Sequence, residues 1–145
     1  MRRVALLVAA VLVVGTLFGA FLRTGSDRAE GSSRAPVIEV AVKDFHIEIP
    51  AVLPAGDAVL RVHNAGPDDH ELILVRSGGE LPVRADGITV DEDALEASIA
   101  GILEPGAPGS TRDLHVHLVP GRYEVLCNMA GHLLGGMRVS VSVVA

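Results

Sequence analysis

Cys127-Asn-Met-Ala-Gly-His132-Leu-Leu-Gly-Gly-Met137 is the stretch that decides the fold and the chemistry expected of this chain. A thiol, an imidazole and a thioether follow one another with four residues in each gap, in a loop between two strand-like segments. Cys127 is the only cysteine among 145 residues, so no intramolecular disulfide accounts for it. Cysteine, histidine and methionine form a soft-to-borderline ligand set that suits copper, and a second histidine would complete it. The stretch therefore predicts a metal site.

Alternation of apolar and polar residues continues on both sides of this loop, from Val37 onward. Such alternation is typical of half-buried strands. Four apolar sets are assigned to inward phases: Phe45, Ile47 and Ile49; Ala58, Leu60 and Val62; Leu114, Val116 and Leu118; Val139, Val141 and Val143. Turn signals at residues 54–56, 64–67, 78–79 and 120–121 separate the segments. The pattern predicts an all-β protein, a β-sandwich of short strands.

One segment breaks the alternation. Residues 89–92 (Thr-Val-Asp-Glu) form a capping box, and Leu95, Ile99 and Ile102 follow at helical spacing. Gly101 and the glycines at 106 and 109 would end the helix. We therefore predict one short inserted helix that packs outside the sandwich and has a structural role.

Strand phase separates the six histidines. His46, His63, His115 and His117 take the polar, outward phase, where ordinary surface histidines are expected. His115 and His117 share a face and could bind a surface ion weakly. His70 differs, because it shares the inward phase of its strand with two leucines, residues 72 and 74.

Each candidate ligand has a simpler explanation when it is taken alone. An inward histidine is usually a hydrogen-bonded core residue, a lone buried cysteine is usually a small hydrophobic residue, and a loop methionine fills a core. The joint occurrence of His70, Cys127, His132 and Met137 argues against all three explanations. We predict that these four residues bind one metal ion.

The ligand types indicate which metal and which chemistry. Two imidazoles and a thiolate in a plane, with a long axial thioether, give a geometry between the preferences of Cu(I) and Cu(II). All positions are filled, unlike those of a catalytic centre, which predicts an electron carrier and not an enzyme. A dinuclear copper centre needs two cysteines, and a multicopper oxidase needs many paired histidines. Structural zinc is disfavoured because methionine is an unusual zinc donor.

The N-terminal residues predict export. After Met1-Arg2-Arg3, residues 4–22 carry no charge, a length sufficient for a bilayer-spanning helix. Basic residues at the N-terminus favour a cytoplasmic location for that end. We interpret residues 1–23 as a signal-anchor, with a cleaved signal peptide and secretion as the alternative. Residues 24–35 predict a flexible linker and residues 36–145 one domain.

Charge restricts the partners. Nine basic and 18 acidic residues lie beyond Arg23, a formal charge of −9 for that part of the chain. This balance argues against nucleic acid and anionic lipid as partners.

At the ligand residues the chain resembles the cupredoxins, the small type 1 blue copper proteins that include plastocyanin and sulfocyanin. Asn64-Ala-Gly-x3-His70 is similar to the segment that carries the first histidine ligand, and Pro120-Gly-x-Tyr123-x3-Cys127-x4-His132-x4-Met137 is similar to the ligand loop. The resemblance implies a Greek-key β-sandwich of seven or eight strands. It also implies His70, Cys127 and His132 as equatorial ligands and Met137 as the axial ligand.

Two departures from plastocyanin concern the loop. The gap between Cys127 and His132 is longer than in plastocyanin, as in the longer-loop members of the family. Glu71 stands where plastocyanin has an asparagine that ties the ligand strand to the cysteine loop.

In the family, electrons commonly enter through the edge of the loop histidine, within an apolar patch. Here that patch around His132 is predicted to comprise Ala65, Pro67, Leu133, Leu134, Gly135 and Gly136, and an acidic rim is predicted to comprise Asp68, Asp69 and Glu71. This arrangement predicts a redox protein partner, such as a cytochrome, oxidase or reductase, with a basic docking face.

The leading functional hypothesis is a membrane-tethered, extracytoplasmic (periplasmic or cell-surface) carrier of single electrons with one copper ion and no small-molecule substrate. The alternative is an exported copper-binding protein that delivers or buffers the metal, for which Met129 would be an extra thioether. A metal-free cupredoxin domain that serves in assembly is disfavoured by the intact ligand set.

Overall fold

The computed structural model describes residues 34–77 and 79–145. The predicted signal-anchor, residues 1–23, and all but the last two residues of the predicted linker lie outside this described part, and the predicted domain boundaries stay predictions. Among the described residues, no helix is both long enough and apolar enough to cross a membrane.

The described residues form nine strands and one short helix. In chain order these are β1 (Val37–Lys43), β2 (His46–Glu48), β3 (Val52–Pro54), β4 (Gly56–Asn64), β5 (His70–Arg76), α1 (Glu92–Leu95), β6 (Ile99–Gly106), β7 (Thr111–Leu118), β8 (Gly121–Leu126) and β9 (Arg138–Val144). The count exceeds the seven or eight strands implied by the family resemblance, and the three-residue strands β2 and β3 account for the excess.

The strands form two sheets, one with the order β2-β1-β4-β7 and one with the order β3-β9-β8-β5-β6. Most neighbouring strands are antiparallel, but β1 pairs in parallel with β4, and β3 in parallel with β9. Buried residues from both sheets form one core cluster, which includes Val40 and Leu60 from the first sheet and Leu72 and Val141 from the second. The predicted all-β sandwich is therefore confirmed.

Alternation predicted the inward faces well in three of the four sets. Ala58, Leu60 and Val62 on β4 are at most 3% exposed, and Val141 and Val143 on β9 at most 4%. On β5, by contrast, both faces are buried. Ile73 and Val75, on its outer face, belong to a second apolar cluster together with Leu81, Val90, Leu95 and Leu126.

The predicted inward position of Phe45 was wrong. Phe45 lies with Asp44 in the turn between β1 and β2, has a φ of 61° and is 52% exposed. The chain reverses at Phe45, because Val42 and Ile47 pair across this hairpin. The alternation of apolar residues continues through the turn and therefore does not reveal it.

The predicted helix was too long. Helix α1 covers four residues and continues as one 3₁₀ turn, Glu96–Ser98. Ile99 and Ile102 belong to β6, where they pair with Val75 and Ile73 of β5. The hydrogen bonds that residues 99–106 make with the buried strand β5 outweigh the weak helical preference of this glycine-containing segment.

The predicted capping box does not form either. Asp91, and not Thr89, is the N-cap residue of α1, and it makes no side-chain cap hydrogen bond. The carboxylate of Glu92 accepts a hydrogen bond from the Asn128 side chain at 2.6 Å, so it is engaged away from the helix start.

Candidate metal centre

Three predicted ligands come from the second sheet and from the loop that joins two of its strands. His70 is the first residue of β5, Cys127 follows the last residue of β8, and His132 lies in the loop between β8 and β9. Because β5 and β8 are antiparallel neighbours, the start of one and the end of the other meet at the same edge of the sheet. Topology therefore brings together residues that are 57 positions apart.

The donor atoms of these three residues converge. His70 Nδ1 lies 3.2 Å from His132 Nδ1 and 4.0 Å from Cys127 Sγ, and Cys127 Sγ lies 3.4 Å from His132 Nδ1. Nitrogen and sulfur donors bind a metal at roughly 2.0 to 2.3 Å, so two ligands of one ion lie roughly 3 to 4 Å apart. The cluster fits a single metal ion, and within the described residues it is the only such group of three or more His, Cys, Asp or Glu side chains.

The cluster is buried, and burial favours the neutral forms of His70 and Cys127. His70 is 1% exposed and Cys127 0%, while His132 is 9% exposed. Burial and the neighbouring His132 lower the pKa of His70, against the opposing effect of Asp44. Burial raises the pKa of the Cys127 thiol, although backbone N–H groups of Met129 and Glu71 hydrogen-bond the sulfur and act in the opposite direction. A bound metal overcomes this burial effect, because a coordinating thiol is deprotonated.

Met137 lies at the base of the loop. It is fully buried and belongs to the same core cluster as Cys127. Its backbone N–H donates to the His132 carbonyl at 2.9 Å, and its carbonyl accepts from the Cys127 N–H at 3.1 Å. These bonds hold the backbone of Met137 beside Cys127 and His132, and the role of Met137 as axial ligand stays a prediction.

The loop is supported by its own backbone. The N–H groups of His132, Gly135 and Gly136 donate to carbonyls of residues 129, 131 and 133, at 2.9 to 3.0 Å. Gly136 has a φ of 95°, a conformation that glycine adopts without strain. Successive tight turns therefore carry the chain from the thiol to the thioether.

Glu71 ties the ligand strand to the cysteine loop, as asparagine does in plastocyanin. Its backbone N–H bonds to the Cys127 sulfur, and its carboxylate accepts a hydrogen bond from the Asn128 backbone N–H. Burial and the charges of Glu92 and Glu104 raise its pKa. Glu71 is half-buried, so the predicted acidic rim consists of the exposed Asp68 and Asp69 alone.

The turn between β1 and β2 contacts both imidazoles, which the sequence analysis missed. Asp44 Oδ1 lies 3.1 Å from His70 Nε2, and the ring of Phe45 meets His132 edge-on at a centroid distance of 5.7 Å. In the sequence, the only sign of this turn is that Asp44 and Phe45 stand between two strand-like segments. One continuous strand would fit the same pattern equally well.

The four histidines assigned to the surface, His46, His63, His115 and His117, are all exposed, as predicted. His63 is bonded to Thr111, and His117 Nδ1 lies 2.6 Å from Asp57 Oδ1. Within residues 34–77 and 79–145, neither His115 nor His117 belongs to a group of three potential metal ligands.

No protein-family model matches the chain, and no curated protein sequence matches it. Solved structures do match. Reduced auracyanin of the photosynthetic bacterium Roseiflexus castenholzii is 18% identical, with a TM-score of 0.59 over 77% of this chain and 98% of that chain. Auracyanin A, a blue copper protein of Chloroflexus aurantiacus, is 20% identical, with a TM-score of 0.57 over 76% and 100%.

A multicopper oxidase of Pediococcus acidilactici also matches, at 16% identity and a TM-score of 0.50, but this chain covers only 27% of it. At these identities the likenesses establish the fold, and the residues of the site indicate its ligand. This chain has the cupredoxin fold, and its buried cluster of His70, Cys127 and His132 fits one type 1 copper ion.

Proposed function

We propose that this protein carries single electrons between redox proteins outside the cytoplasm, with one copper ion held by His70, Cys127, His132 and Met137. When bound, copper supplies a Cu(I)/Cu(II) couple. The observation that carries the proposal is that a mixed set of nitrogen and sulfur donors is buried. His132, the most exposed of these side chains, is only 9% exposed.

The ligand set favours electron transfer over catalysis. A catalytic metal centre keeps a position open for water or substrate, whereas four side chains here would surround one ion. The chain's residues would hold that set in place in both oxidation states, because the ligand loop is braced by its own backbone hydrogen bonds and by Glu71. The multicopper oxidase likeness concerns the fold of one part of a larger chain.

The surface around His132 suits a protein partner. Leu134 is 74% exposed and Phe45 52% exposed, and Ala65 and Pro67 are exposed as well. Leu133 is half-buried against the second apolar cluster and contributes less than predicted. Asp68 and Asp69 line a hollow of about 430 Å³ together with His132. An apolar patch beside two acidic residues favours a partner with a basic docking face.

The location outside the cytoplasm is proposed from residues 1–22, where two arginines precede an uncharged apolar stretch. In this proposal the stretch anchors the copper domain to the membrane. Protection of the domain from protease added to spheroplasts, whose periplasmic face is accessible, would contradict an extracytoplasmic location.

The docking proposal is tested with the copper-loaded protein and a basic c-type cytochrome as the redox partner. The second-order rate of electron transfer should fall as salt is added, because exposed charges are screened. A double substitution, Asp68→Asn with Asp69→Asn, should lower the rate at low salt and flatten this dependence. Asp57→Asn with Glu39→Gln is the matched control, since it also removes two exposed negative charges, one at the opposite end of β4 from the site and one on the neighbouring strand β1. A rate that rises with salt, or an equal effect of the control, would contradict the proposed docking face.

Copper delivery is the competing function, and retention of the metal distinguishes it. A carrier should keep its copper through repeated cycles of oxidation and reduction, and should not give it to an apo-acceptor. Met129, the extra thioether on which delivery would draw, is only partly exposed and packs against the core. Quantitative transfer of copper to an acceptor would replace the carrier proposal with delivery.

A further inference from the structure

Asp44 contacts a ligand from outside the cluster. Its Oδ1 atom lies 3.1 Å from Nε2 of His70, whose side chain is fully buried, while the Asp44 side chain is 30% exposed. His70 Nδ1 faces Cys127 and His132 on the other side of the ring. The two nitrogens therefore have separate tasks: Nδ1 faces the metal position, and Nε2 faces a carboxylate.

Gly66 makes this contact possible. A Cβ atom at position 66 would lie 2.8 Å from His70 Nε2, 2.9 Å from Asp44 Oδ1 and 3.0 Å from the Cα of Lys43. Any other residue would displace the imidazole or the carboxylate. The Gly66 backbone is itself fixed, because its N–H donates to Asn64 Oδ1 at 3.0 Å. Asp44, Gly66 and the backbone of Lys43 thus pack closely around the outer nitrogen of His70.

We propose that Asp44 is a positioning residue of the copper site, which holds His70 with its proton on Nε2 and stabilises the oxidised state of the bound metal. A histidine that donates its outer N–H to a carboxylate is fixed in tautomer and ring orientation and becomes a more basic ligand. A nearby negative charge favours the more positive of two metal oxidation states, because Coulomb energy scales with the charge product. Asp44 therefore lowers the reduction potential.

The inference rests on the proposed redox function for its potential measurement, but its first test needs no metal. In the metal-free protein, ¹⁵N NMR of the imidazoles should show His70 as the Nε2–H tautomer. Asp44→Asn keeps an oxygen acceptor and should keep this tautomer, whereas Asp44→Ala should give a mixture of both. A His70 tautomer that is Nδ1–H in the unsubstituted protein would overturn the proposed contact, whatever the metal does.

The second test is the reduction potential of the copper-loaded protein. Loss of an outer hydrogen-bond partner typically changes metal affinity 10- to 100-fold, and we expect Asp44→Asn to weaken Cu(II) relative to Cu(I) about tenfold. For a one-electron couple this raises the potential by about 59 mV. Gly66→Ala should raise it in the same direction, because it separates the two side chains while retaining both.

Two matched controls distinguish the effect of the Asp44–His70 contact from the effect of losing any nearby charge and from the effect of replacing any glycine. Asp68→Asn removes the same charge from an exposed position near the site and should shift the potential by less than half as much. Gly79→Ala adds a methyl group where no atom lies within 4 Å and should leave the potential unchanged. Equal shifts in Asp44→Asn and Asp68→Asn, or no shift in Asp44→Asn, would overturn the proposal.

Discussion

Asn128 organises the site from the position next to a ligand. Its side-chain oxygen accepts the Val90 N–H at 2.7 Å, and its side-chain amide donates to the Val90 carbonyl at 3.3 Å and to Glu92 at 2.6 Å. The residue is 9% exposed. It therefore fixes the start of the ligand loop to the segment that covers the outer face of β5, independently of any metal.

Asn128→Ala should destabilise the metal-free protein by about 1–3 kcal/mol, because it leaves the buried Val90 backbone groups without partners. Urea denaturation measures this difference. Thr111→Ala, which removes an exposed hydrogen bond to His63, is the control and should change stability by less than about 0.5 kcal/mol. Equal effects of the two substitutions would show that the Asn128 bonds are not stabilising.

The same residue shows a limit of prediction from sequence. Cys127, His132 and Met137 were recognisable because their chemical types and spacing occur together within eleven residues. Asn128 and Val90 are 38 positions apart and carry no mutual signal in one sequence. Asp44 was likewise visible only once β1 and β2 folded into a hairpin beside His70.

At the scale of elements, Tyr123 joins β8 to the turn that precedes it. Its hydroxyl donates to the Val119 carbonyl at 3.0 Å and accepts the Val119 N–H at 3.1 Å, while its ring is 1% exposed within the core. Tyr123 thereby fixes where β7 ends and β8 begins, and β8 leads directly to Cys127.

Tyr123→Phe keeps the ring in the core and removes both hydrogen bonds, so it should cost about 0.5–1.5 kcal/mol of unfolding free energy. Thermal or urea unfolding measures the loss, and the copper spectrum should stay unchanged because the core ring is retained. A stability equal to that of the unsubstituted protein would contradict the proposed role of the turn.

Strands β8 and β9 share a buried charge. Glu124 is 6% exposed and accepts hydrogen bonds from Arg138 at 2.8 Å and from Ser140 at 2.7 Å. Burial alone would raise the pKa of Glu124, but these two bonds outweigh it and lower the pKa below the ordinary 4.5. The ionised form is therefore favoured in the folded state.

The lowered pKa of Glu124 determines how its contribution to stability changes with pH. The unfolded state binds the proton more readily, so this stabilisation is fully present above about pH 4.5 and is lost as the pH falls through the lowered folded-state pKa. Glu124→Gln should destabilise the protein at pH 7, and the difference in unfolding free energy from the unsubstituted protein should shrink as the pH falls below about 4.5. Glu48→Gln, at an exposed position of β2, is the control for loss of a surface charge. If this difference in unfolding free energy grew on acidification, the stabilising role of ionised Glu124 would be contradicted.

Element boundaries were predictable where one face is buried and one is wet. β4 and β9 have that character, and their alternation identified the inward residues. β6 does not, because it pairs along β5 at the sheet edge with mixed exposure and a glycine at position 101. The spacing of Leu95, Ile99 and Ile102 fitted a helix, and only the pairing of Ile99 with Val75 distinguishes the strand.

Taken together, the described residues 34–77 and 79–145 form two apolar clusters, and the ligand loop lies against both. Cys127 and Met137 belong to the sandwich core, whereas Leu126 belongs to the outer cluster and Leu133 packs against it. Because His70 and Cys127 adjoin well-packed strands and His132 lies in a loop with its own backbone hydrogen bonds, the folded chain should present its donor atoms before the metal binds. The sandwich was predictable from alternation, but the outer cluster was not, since it depends on how residues 81–95 return to β5.

Metal binding should therefore stabilise the whole fold. A ligand that binds only the folded state at a hundred times its Kd adds about 2.7 kcal/mol to the free energy of unfolding. Calorimetry should show a higher Tm for the copper-loaded protein than for the metal-free protein, and Cys127→Ser should lose most of this difference. An equal Tm with and without copper would contradict binding at the buried cluster.

Ligation of copper by Cys127, together with His70, His132 and Met137, underlies both the proposed electron transfer and the proposed role of Asp44. The most direct measurement is the optical and EPR spectrum of the copper-loaded protein beside that of Cys127→Ser. Ligation by Cys127 predicts an intense thiolate-to-copper charge-transfer band and a narrow copper hyperfine splitting, both lost in Cys127→Ser. A colourless protein that binds zinc in preference, or an intense blue colour that survives in Cys127→Ser, would contradict it.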